Sequence, residues 1–216
     1  MGIAHRQAAR RRVLLRYERA LWAAGVRLIA GVDEVGVGPL AGPLVAAAVI
    51  LPPECALRGI DDSKKLTREA RTRLAPEIRA LALAVGVGVV DADEVDRLNP
   101  YWAALEAMRR AVRLLPVAAE ELLVDARRIP GIDMPQTALV KGDARSYSIA
   151  AASIVAKVER DMMMEELDRR YPEYGFIRHM GYGTPEHLAA LARCGACPQH
   201  RRSFAPVALA LRGSGA

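Results

Sequence analysis

Four acidic side chains stand inside or directly after short apolar segments of this chain, where charged residues are unusual. They are Asp33, Glu34, Asp125 and Asp143. A carboxylate that leaves water costs several kcal/mol unless it is protonated, paired or bound to a cation. Carboxylates that crowd together also raise each other's pKa, and a divalent ion removes that repulsion. The pattern therefore predicts a cation site built from the ends of separate strands.

The donor atoms of this predicted site are carboxylate oxygens. No cluster of His or Cys accompanies the four acids in the sequence. Hard oxygen ligands without nitrogen or sulfur favour Mg²⁺ or Mn²⁺ over zinc. Taken singly, Asp125 and Asp143 could also serve only to begin a loop or a turn, so the prediction depends on all four acids together.

The elements that must position these acids indicate an α/β fold. Apolar and β-branched segments predict strands at 27–35, 44–51, 83–90, 122–125 and 137–140. Helical periodicity and capping residues predict helices at 6–24, 67–80, 99–115, 148–170 and 185–194. Pro76 should kink or split the second of these helices. Strands that interleave with helices predict a mixed sheet.

Composition and cysteine usage exclude several classes of protein. A formal net charge of +6 fits a phosphate-rich partner without requiring one. Three cysteines cannot form a disulfide framework, and the single C-x-x-C of Cys194 and Cys197 lacks the second ligand pair of a zinc site. The apolar runs are too short to cross a bilayer, and no signal-peptide pattern is present. We expect a soluble, cytoplasmic protein without a membrane partner.

Six motifs, in order along the chain, resemble those of bacterial ribonuclease HII, a type 2 ribonuclease H family. They are residues 31–43, 61–66, 141–143, 149–157, 174–184 and 200–204. The resemblance spans roughly residues 28–207. It implies a ribonuclease H-like mixed central sheet of about five strands flanked by helices, with a small C-terminal helical extension. The expected organisation is an N-terminal helix (1–27), a catalytic domain (28–170) and an extension (171–216) whose tail is disordered from residue 212.

The resemblance also implies an activity. It predicts an endoribonuclease that hydrolyses the phosphodiester 5′ to ribonucleotides embedded in or hybridised to DNA, leaving 3′-hydroxyl and 5′-phosphate ends. The four acids would be the catalytic residues and would hold two divalent cations, Mn²⁺ or Mg²⁺, with Asp33 between them. The partners would be RNA–DNA hybrids and DNA duplexes that contain ribonucleotides. We expect a monomer that acts in ribonucleotide excision and in removal of RNA primers.

Further residues are predicted to contact the substrate. The loop of Gly36, Val37 and Gly38 would approach the 2′-hydroxyl through its backbone, and Tyr182 would stack at the junction. The predicted phosphate contacts are Ser63, Lys64, Lys65, Arg145, Ser146, Arg201 and Arg202. Asp161 is predicted to pair with Lys157 one helical turn earlier rather than to bind metal.

The sequence departs from the family pattern at two positions. The family usually has Gly-Arg-Gly where this chain has Val37, and commonly has a lysine where this chain has Met180. Both changes remove a positive charge and predict a weaker grip on single embedded ribonucleotides.

Three other interpretations stay open. A ribonuclease HIII-like enzyme would share the acids and the metal chemistry. A catalytically weakened nucleic-acid-binding relative would fit the loss of the arginine at position 37. A small-molecule α/β enzyme would need a glycine-rich loop that opens a helix, whereas residues 36–39 join two predicted strands.

Overall fold

Five strands of the computed structural model form one mixed sheet, as the sequence predicts. The model describes residues 3–53 and 55–213. The strands are β1 (Ile29–Val35), β2 (Leu44–Ile50), β3 (Ala84–Val90), β4 (Glu121–Asp125) and β5 (Gln136–Leu139). Their order across the sheet is β3-β2-β1-β4-β5. The pairs β1–β2 and β2–β3 are antiparallel, whereas β1–β4 and β4–β5 are parallel.

Helices cover both faces of this sheet. They are α1 (Ile3–Leu14), α2 (Arg16–Ala23), α3 (Arg68–Leu81), α4 (Ala92–Arg113), α5 (Tyr147–Arg170), α6 (Phe176–His179), α7 (Pro185–Cys194) and α8 (Ala205–Gly213). Helix α4 packs on one face through an aliphatic core rich in alanine, and α5 with α3 packs on the other. Short 3₁₀ turns occupy Ser63–Lys65, Gly142–Ala144 and Pro172–Tyr174. None of the helices within the described ranges combines the length and the apolarity needed to span a bilayer.

Several helix predictions are corrected by the structure. The predicted N-terminal helix is two helices that meet at Leu15, whose side chain is buried with that of Leu14. Helix α3 runs through Pro76 without a break. Helix α4 has a first segment from Ala92 that was not predicted, and its second segment starts after a kink at Asn99, where the sequence predicts a helix start.

The C-terminal end also differs from the prediction. Helix α8 lies where the sequence analysis placed only a basic turn and a tail. The expected disordered tail begins at residue 212, yet Arg212 belongs to this helix. Residues 214–216 lie outside the described residues.

The central strand and α5 approach each other at a glycine. A Cβ added at Gly31 would lie 2.0 Å from the carbonyl carbon of Ser148. No side chain fits this space, because real Cβ atoms do not come within 3.0 Å of a backbone atom. The close contact fixes the start of α5, and the residues just before it, against the strand that carries Asp33.

The N-terminal helices are bound to the same region by ionic contacts. Arg10 of α1 donates to Asp61 and to the carbonyl of Ala144. Glu18 of α2 is buried and accepts from the Ser146 hydroxyl at 2.7 Å and from the Ser148 amide at 2.9 Å. These helices therefore contribute to the position of the segment that contains Asp143.

Candidate active site

Three of the predicted acids come together where strands β1 and β4 separate. The parallel pairing of these strands ends at Val32 opposite Val124. In open α/β sheets, ligands bind in the crevice beyond such carboxyl ends. Asp33, Glu34 and Asp125 follow at this point, and each offers a carboxylate oxygen that lies within 4.8 Å of the others. We call these three residues the acid cluster.

The position of the cluster explains how two consecutive strand residues reach one site. Neighbouring residues in a strand point to opposite faces. Asp33 lies on the α5 side, as Gly31 does, and Glu34 lies on the α4 side. Beyond Val32 no β4 residue pairs with β1 in the ladder. The longer Glu34 side chain can therefore turn around the open edge toward Asp33 and Asp125.

The acids of the cluster repel one another strongly. Burial raises the pKa of Asp33 well above its usual range, and the charges of Glu34, Asp125 and Asp143 raise it further. Burial and the Asp125 charge raise the pKa of Glu34 to about 7. Burial also raises the pKa of Asp125. A bound cation would remove this repulsion.

A divalent cation fits the donor set of the cluster. The Oε2 atom of Glu34 is buried and accepts no hydrogen bond in the structure. A buried polar atom without a partner is costly, and a metal ion supplies the missing partner. All the available donors are hard carboxylate oxygens, which is the ligand type of Mg²⁺ and Mn²⁺.

Asp143 lies beside the cluster and contacts a lysine. Its Oδ2 is 3.2 Å from the Nζ of Lys64. The segment between the acids is tied together, because the Gly142 amide donates to Asp125 Oδ1 at 2.6 Å. In addition to burial, the charge of Asp143 raises the pKa of Asp33 and of Asp125. The structure thus brings all four predicted acids into one region, although Asp143 is not among the three whose oxygens meet within 4.8 Å.

Two buried arginines donate hydrogen bonds to backbone carbonyls of the loop of residues 36–43. Arg201 donates to the carbonyls of Gly36 at 2.6 Å, Val37 at 3.0 Å and Gly42 at 2.9 Å. Arg160 donates to the carbonyl of Pro43 at 2.9 Å. Both guanidinium groups are fully buried, and burial lowers the pKa of each.

These contacts decide which way the amides of the loop point. In a trans peptide the N–H points away from the carbonyl that precedes it. Since the carbonyls of Gly36 and Val37 face Arg201, the amides of Val37 and Gly38 face the opposite side of the loop. Gly36 has a φ of +96°, a conformation that L side chains rarely adopt, and a Cβ there would lie 2.4 Å from Arg160 Nε. The backbone of this loop is therefore preorganised to donate outward.

Tyr182 lies next to the same loop. Its ring approaches Gly38, where an added Cβ would be 3.9 Å from Tyr182 Cε1. The side chain is 45% exposed. Gly181, which precedes it, accepts from the Leu40 amide at 2.8 Å. The two predicted sensors of the 2′-hydroxyl are therefore adjacent.

A buried chain of histidines supports the Tyr182 backbone. At one end, the Cys197 amide donates to His200 Nδ1 at 3.1 Å. The two histidines then meet through their Nε2 atoms at 3.0 Å. At the other end, His187 Nδ1 lies 2.9 Å from the Tyr182 carbonyl. An amide can only donate and a carbonyl can only accept. Each histidine must therefore be neutral, with its proton on His200 Nε2 and on His187 Nδ1. Cys197 thus belongs to this buried network, whereas Cys194 is exposed.

Two predicted phosphate contacts are wrong, because their side chains are buried and occupied. Ser146 is fully buried; it donates to Glu18 and caps α5 by accepting from the Ile149 amide. Arg201 is fully buried under the loop and cannot reach a phosphate at the surface. Both residues position other groups instead.

The remaining predicted contacts lie nearer the surface. Lys64, Lys65, Arg145 and Arg202 are exposed, whereas Ser63 is largely buried. Lys65 pairs with Asp61 at 3.9 Å, and Arg145 donates to the carbonyl of Val140 at 3.1 Å. Away from this surface, Lys157 and Asp161 form the expected pair on α5.

The sequence did not predict the buried residues whose hydrogen bonds support the site. Arg160 and Glu18 gave no separate signal, since a charged residue in a helix usually faces solvent. The pairing of His187 with His200 spans thirteen positions and has no periodic pattern. The spacing of Asn99 and Pro100 did indicate a helix start, yet it did not indicate that a helical segment from Ala92 precedes them across a kink.

Known proteins resemble this chain in sequence and in fold. A family model described as Ribonuclease HII matches residues 30–207. A ribonuclease HII of Geobacillus kaustophilus is 58% identical, over 97% of this chain and 83% of the relative. The crystal structure of the ribonuclease H2 from Pyrococcus horikoshii OT3 has a TM-score of 0.72 at 26% identity, over 86% of this chain and 97% of that one. The crystal structure of Bst-RNase HIII in complex with Mn²⁺ has a TM-score of 0.70 at 26% identity, over 88% of this chain and 71% of that one.

Proposed function

The chain belongs to the ribonuclease HII family and is an endoribonuclease that acts on RNA–DNA hybrids, and from this premise we propose how its site works. The proposed reaction is hydrolysis of the phosphodiester on the 5′ side of a ribonucleotide in a DNA duplex or a hybrid. It leaves a 3′-hydroxyl and a 5′-phosphate. The acids Asp33, Glu34, Asp125 and Asp143 hold two divalent cations, Mn²⁺ or Mg²⁺.

The observation that carries this proposal is the buried acid cluster with its unpartnered oxygen. Asp33, Glu34 and Asp125 crowd their oxygens within 4.8 Å, and Glu34 Oε2 has no hydrogen-bond partner. Such an arrangement is unfavourable for ionised acids, and it is relieved when the acids are protonated or when cations are bound. When bound, the cations would activate a water molecule and stabilise the leaving oxygen.

The protein supplies the position of these ligands. The Gly142 amide fixes one oxygen of Asp125, and the Glu34 amide donates to Asp33 Oδ1 at 2.8 Å. Each hydrogen bond engages one oxygen of its carboxylate, so the second oxygen of that carboxylate stays free to bind a cation. Lys64 lies at the open side of Asp143, where it can exchange its carboxylate partner for a substrate phosphate.

Selection of a ribonucleotide is assigned to the 36–43 loop and Tyr182. The outward amides of Val37 and Gly38 can donate to the 2′-hydroxyl or to the adjacent phosphate. The Tyr182 ring beside Gly38 can pack against the sugar of the same nucleotide. The 2′-hydroxyl is the group that distinguishes RNA from DNA at one position. Because the contact uses backbone amides, it does not depend on the side chain at position 37.

The proposal extends to the setting of the reaction. We propose that the protein acts as a monomer in the cytoplasm and that its role is ribonucleotide excision and removal of RNA primers. The family assignment and the basic net charge of +6 support this role.

Mapping the cut on a duplex with a single ribonucleotide tests the proposed function. The duplex carries one ribonucleotide in an otherwise DNA strand, and its labelled products are separated at nucleotide resolution with Mn²⁺ or Mg²⁺. We expect one nick 5′ to the ribonucleotide and a 3′-hydroxyl that a DNA polymerase extends. An all-DNA duplex of the same sequence is the control. Binding of the ribonucleotide duplex without a nick would instead support a catalytically inert binding module.

A further inference from the structure

Two large aromatic side chains stand exposed on α4. The Tyr101 side chain is 48% exposed and that of Trp102 is 51% exposed. Their rings meet edge to face, with centroids 5.2 Å apart. Exposed apolar groups of this size are uncommon in neighbouring pairs, and they mark surfaces that contact another molecule.

A strained turn presents these two rings. Asn99 has a φ of +64° inside α4, and its Oδ1 accepts from the amides of Tyr101 at 3.0 Å and Trp102 at 3.2 Å. A non-glycine residue in this conformation costs on the order of 1 kcal/mol. The turn restarts the helix at the two aromatic residues, so their backbone is fixed rather than mobile.

The aromatic pair is continuous with the acid cluster. The Arg127 guanidinium lies 4.7 Å from the centroid of the Tyr101 ring. Arg127 follows Asp125, at the end of β4, by two residues. In addition, β3 runs parallel to β1, so α4 begins at the same edge of the sheet as the acids.

We propose that Tyr101, Trp102 and Arg127 form a contact for a nucleic-acid strand that flanks the cleavage point. We call these residues the aromatic surface, and the inference rests on the proposed function. The rings would pack against sugars at the edge of the minor groove of the flanking duplex. Arg127 would bind the phosphate between them.

The chemistry of the surface favours a nucleic acid over a protein partner. A strand presents alternating sugar faces and anionic phosphates, and the surface presents aromatic faces beside a cation. Arg128 adds a second exposed cation next to Arg127. Aromatic contacts of this type tolerate any sequence, as an enzyme that acts at arbitrary positions requires.

Fluorescence of Trp102 tests this contact directly. The chain has two tryptophans, so Trp22→Phe leaves Trp102 as the single reporter. Trp22 is half-buried and its Nε1 has no hydrogen-bond partner in the structure, so phenylalanine should be tolerated. We expect the emission of Trp102 to change and saturate when a duplex with one ribonucleotide is added in metal-free buffer.

Substitutions then measure what the contact contributes. Trp102→Ala should weaken binding and raise KM together by roughly five- to tenfold, with a smaller loss in kcat. Trp102→Phe should restore most of the affinity. Leu83→Ala is the matched control, because Leu83 is also exposed but lies at the opposite edge of the sheet, beside Ile50. Equal melting temperatures exclude a general loss of structure.

Duplexes shortened from either end identify the contacted flank. The effect of Trp102→Ala should disappear when the flank that reaches the aromatic surface is removed, and it should persist when the other flank is removed. Normal nicking by the unmodified chain, together with unchanged Trp102 emission and unchanged affinity of Trp102→Ala, would overturn the contact alone. Absence of nicking by the unmodified chain would instead contradict the proposed function.

Discussion

His187 and His200 face each other through their Nε2 atoms at 3.0 Å, and neither ring can accept a second proton without losing a hydrogen bond. Cys197 and the Tyr182 carbonyl close the chain at its two ends. The His179 ring stacks on His187 with ring centroids 4.4 Å apart, and the Tyr174 ring packs on His200. The loop that carries Tyr182 therefore depends on two neutral imidazoles.

Stability should fall in mildly acidic solution because of this pair. Burial and the proximity of His187 lower the pKa of His200 from 6.5 to about 4. The unfolded chain then binds the proton first as the pH falls, so the free energy of unfolding is retained above about pH 6.5 and is lost progressively toward pH 4. The whole shift in the pKa of His200 corresponds to a loss of roughly 3 kcal/mol in the free energy of unfolding. Urea titrations at several pH values measure it.

The variant His200→Gln, which has no proton to gain, separates this effect from general acid sensitivity. It should be less stable than the unmodified chain at pH 8, but its stability should change less between pH 6.5 and 4.5. His5→Gln is the control, because His5 is exposed on α1. An unaltered pH dependence in His200→Gln would refute the assignment.

Replacing one acid of the cluster should affect activity and stability in opposite directions. Asp33→Asn or Asp125→Asn should lower kcat by at least on the order of a hundredfold, because one of the proposed cation ligands is lost. In metal-free buffer Asp33→Asn should raise the free energy of unfolding by about 1–2 kcal/mol, because one repelling charge is gone. Nicking assays and melting with a chelator test both results.

Asp133→Asn, at an exposed position, is the matched control and should change neither quantity. If Asp125→Asn kept most of its activity, Asp125 would lie outside the catalytic site.

Arginine at position 37 should strengthen binding to a duplex that contains a single ribonucleotide. The Val37 side chain is 36% exposed. Val37→Arg adds a charge-assisted phosphate contact, worth about 1.5–3 kcal/mol or at least about tenfold in Kd. The slope of log K against log salt should steepen by about one. Val37→Leu controls for side-chain size, and unchanged Kd and kcat/KM in Val37→Arg would contradict the prediction.

Substitution of the adjacent residues Arg201 and Arg202 should have different effects on stability. Arg201→Met leaves the carbonyls of Gly36, Val37 and Gly42 without their donor, so we expect a loss of about 2–5 kcal/mol in stability. Arg202→Met removes only an exposed charge and should weaken duplex binding slightly with little change in stability. Denaturation and binding curves of the two variants compare them directly. Equal effects on stability would show that Arg201 does not support the loop.

The sheet and its acids could be predicted from sequence because their signals are local. Each of the five strands lies within two residues of its predicted bounds, since buried strands are apolar and end at turn residues. Asp33 was predictable for the same reason, because a charge inside an apolar run has few structural explanations. Asp125 ends its strand and was predicted only together with the other acids. Helix α8 was missed because a short segment rich in alanine carries weak periodicity. The first segment of α4 was missed because Asn99 and Pro100 mark a helix start of their own.

The support of the site could not be predicted, because it depends on tertiary contacts. Arg201 and Arg202 are neighbours of the same residue type, yet one is fully buried and the other is exposed. Only the folded chain shows that the carbonyls of the 36–43 loop turn toward one of them. Ser146 gave a similar error, since a serine near a predicted site is more often exposed than buried beneath a helix end.

The contacts of the 36–43 loop divide the site between two parts of the fold. Leu40 and Gly42 exchange backbone hydrogen bonds with Gly181, Gln199 and Arg201, all of which follow α5, whereas the acids belong to the central sheet. If the segment after α5 opened first on warming, the loop would lose these contacts while the strands stayed paired. The enzyme would then still bind cations but no longer tell RNA from DNA, so fidelity would be lost at a lower temperature than metal affinity.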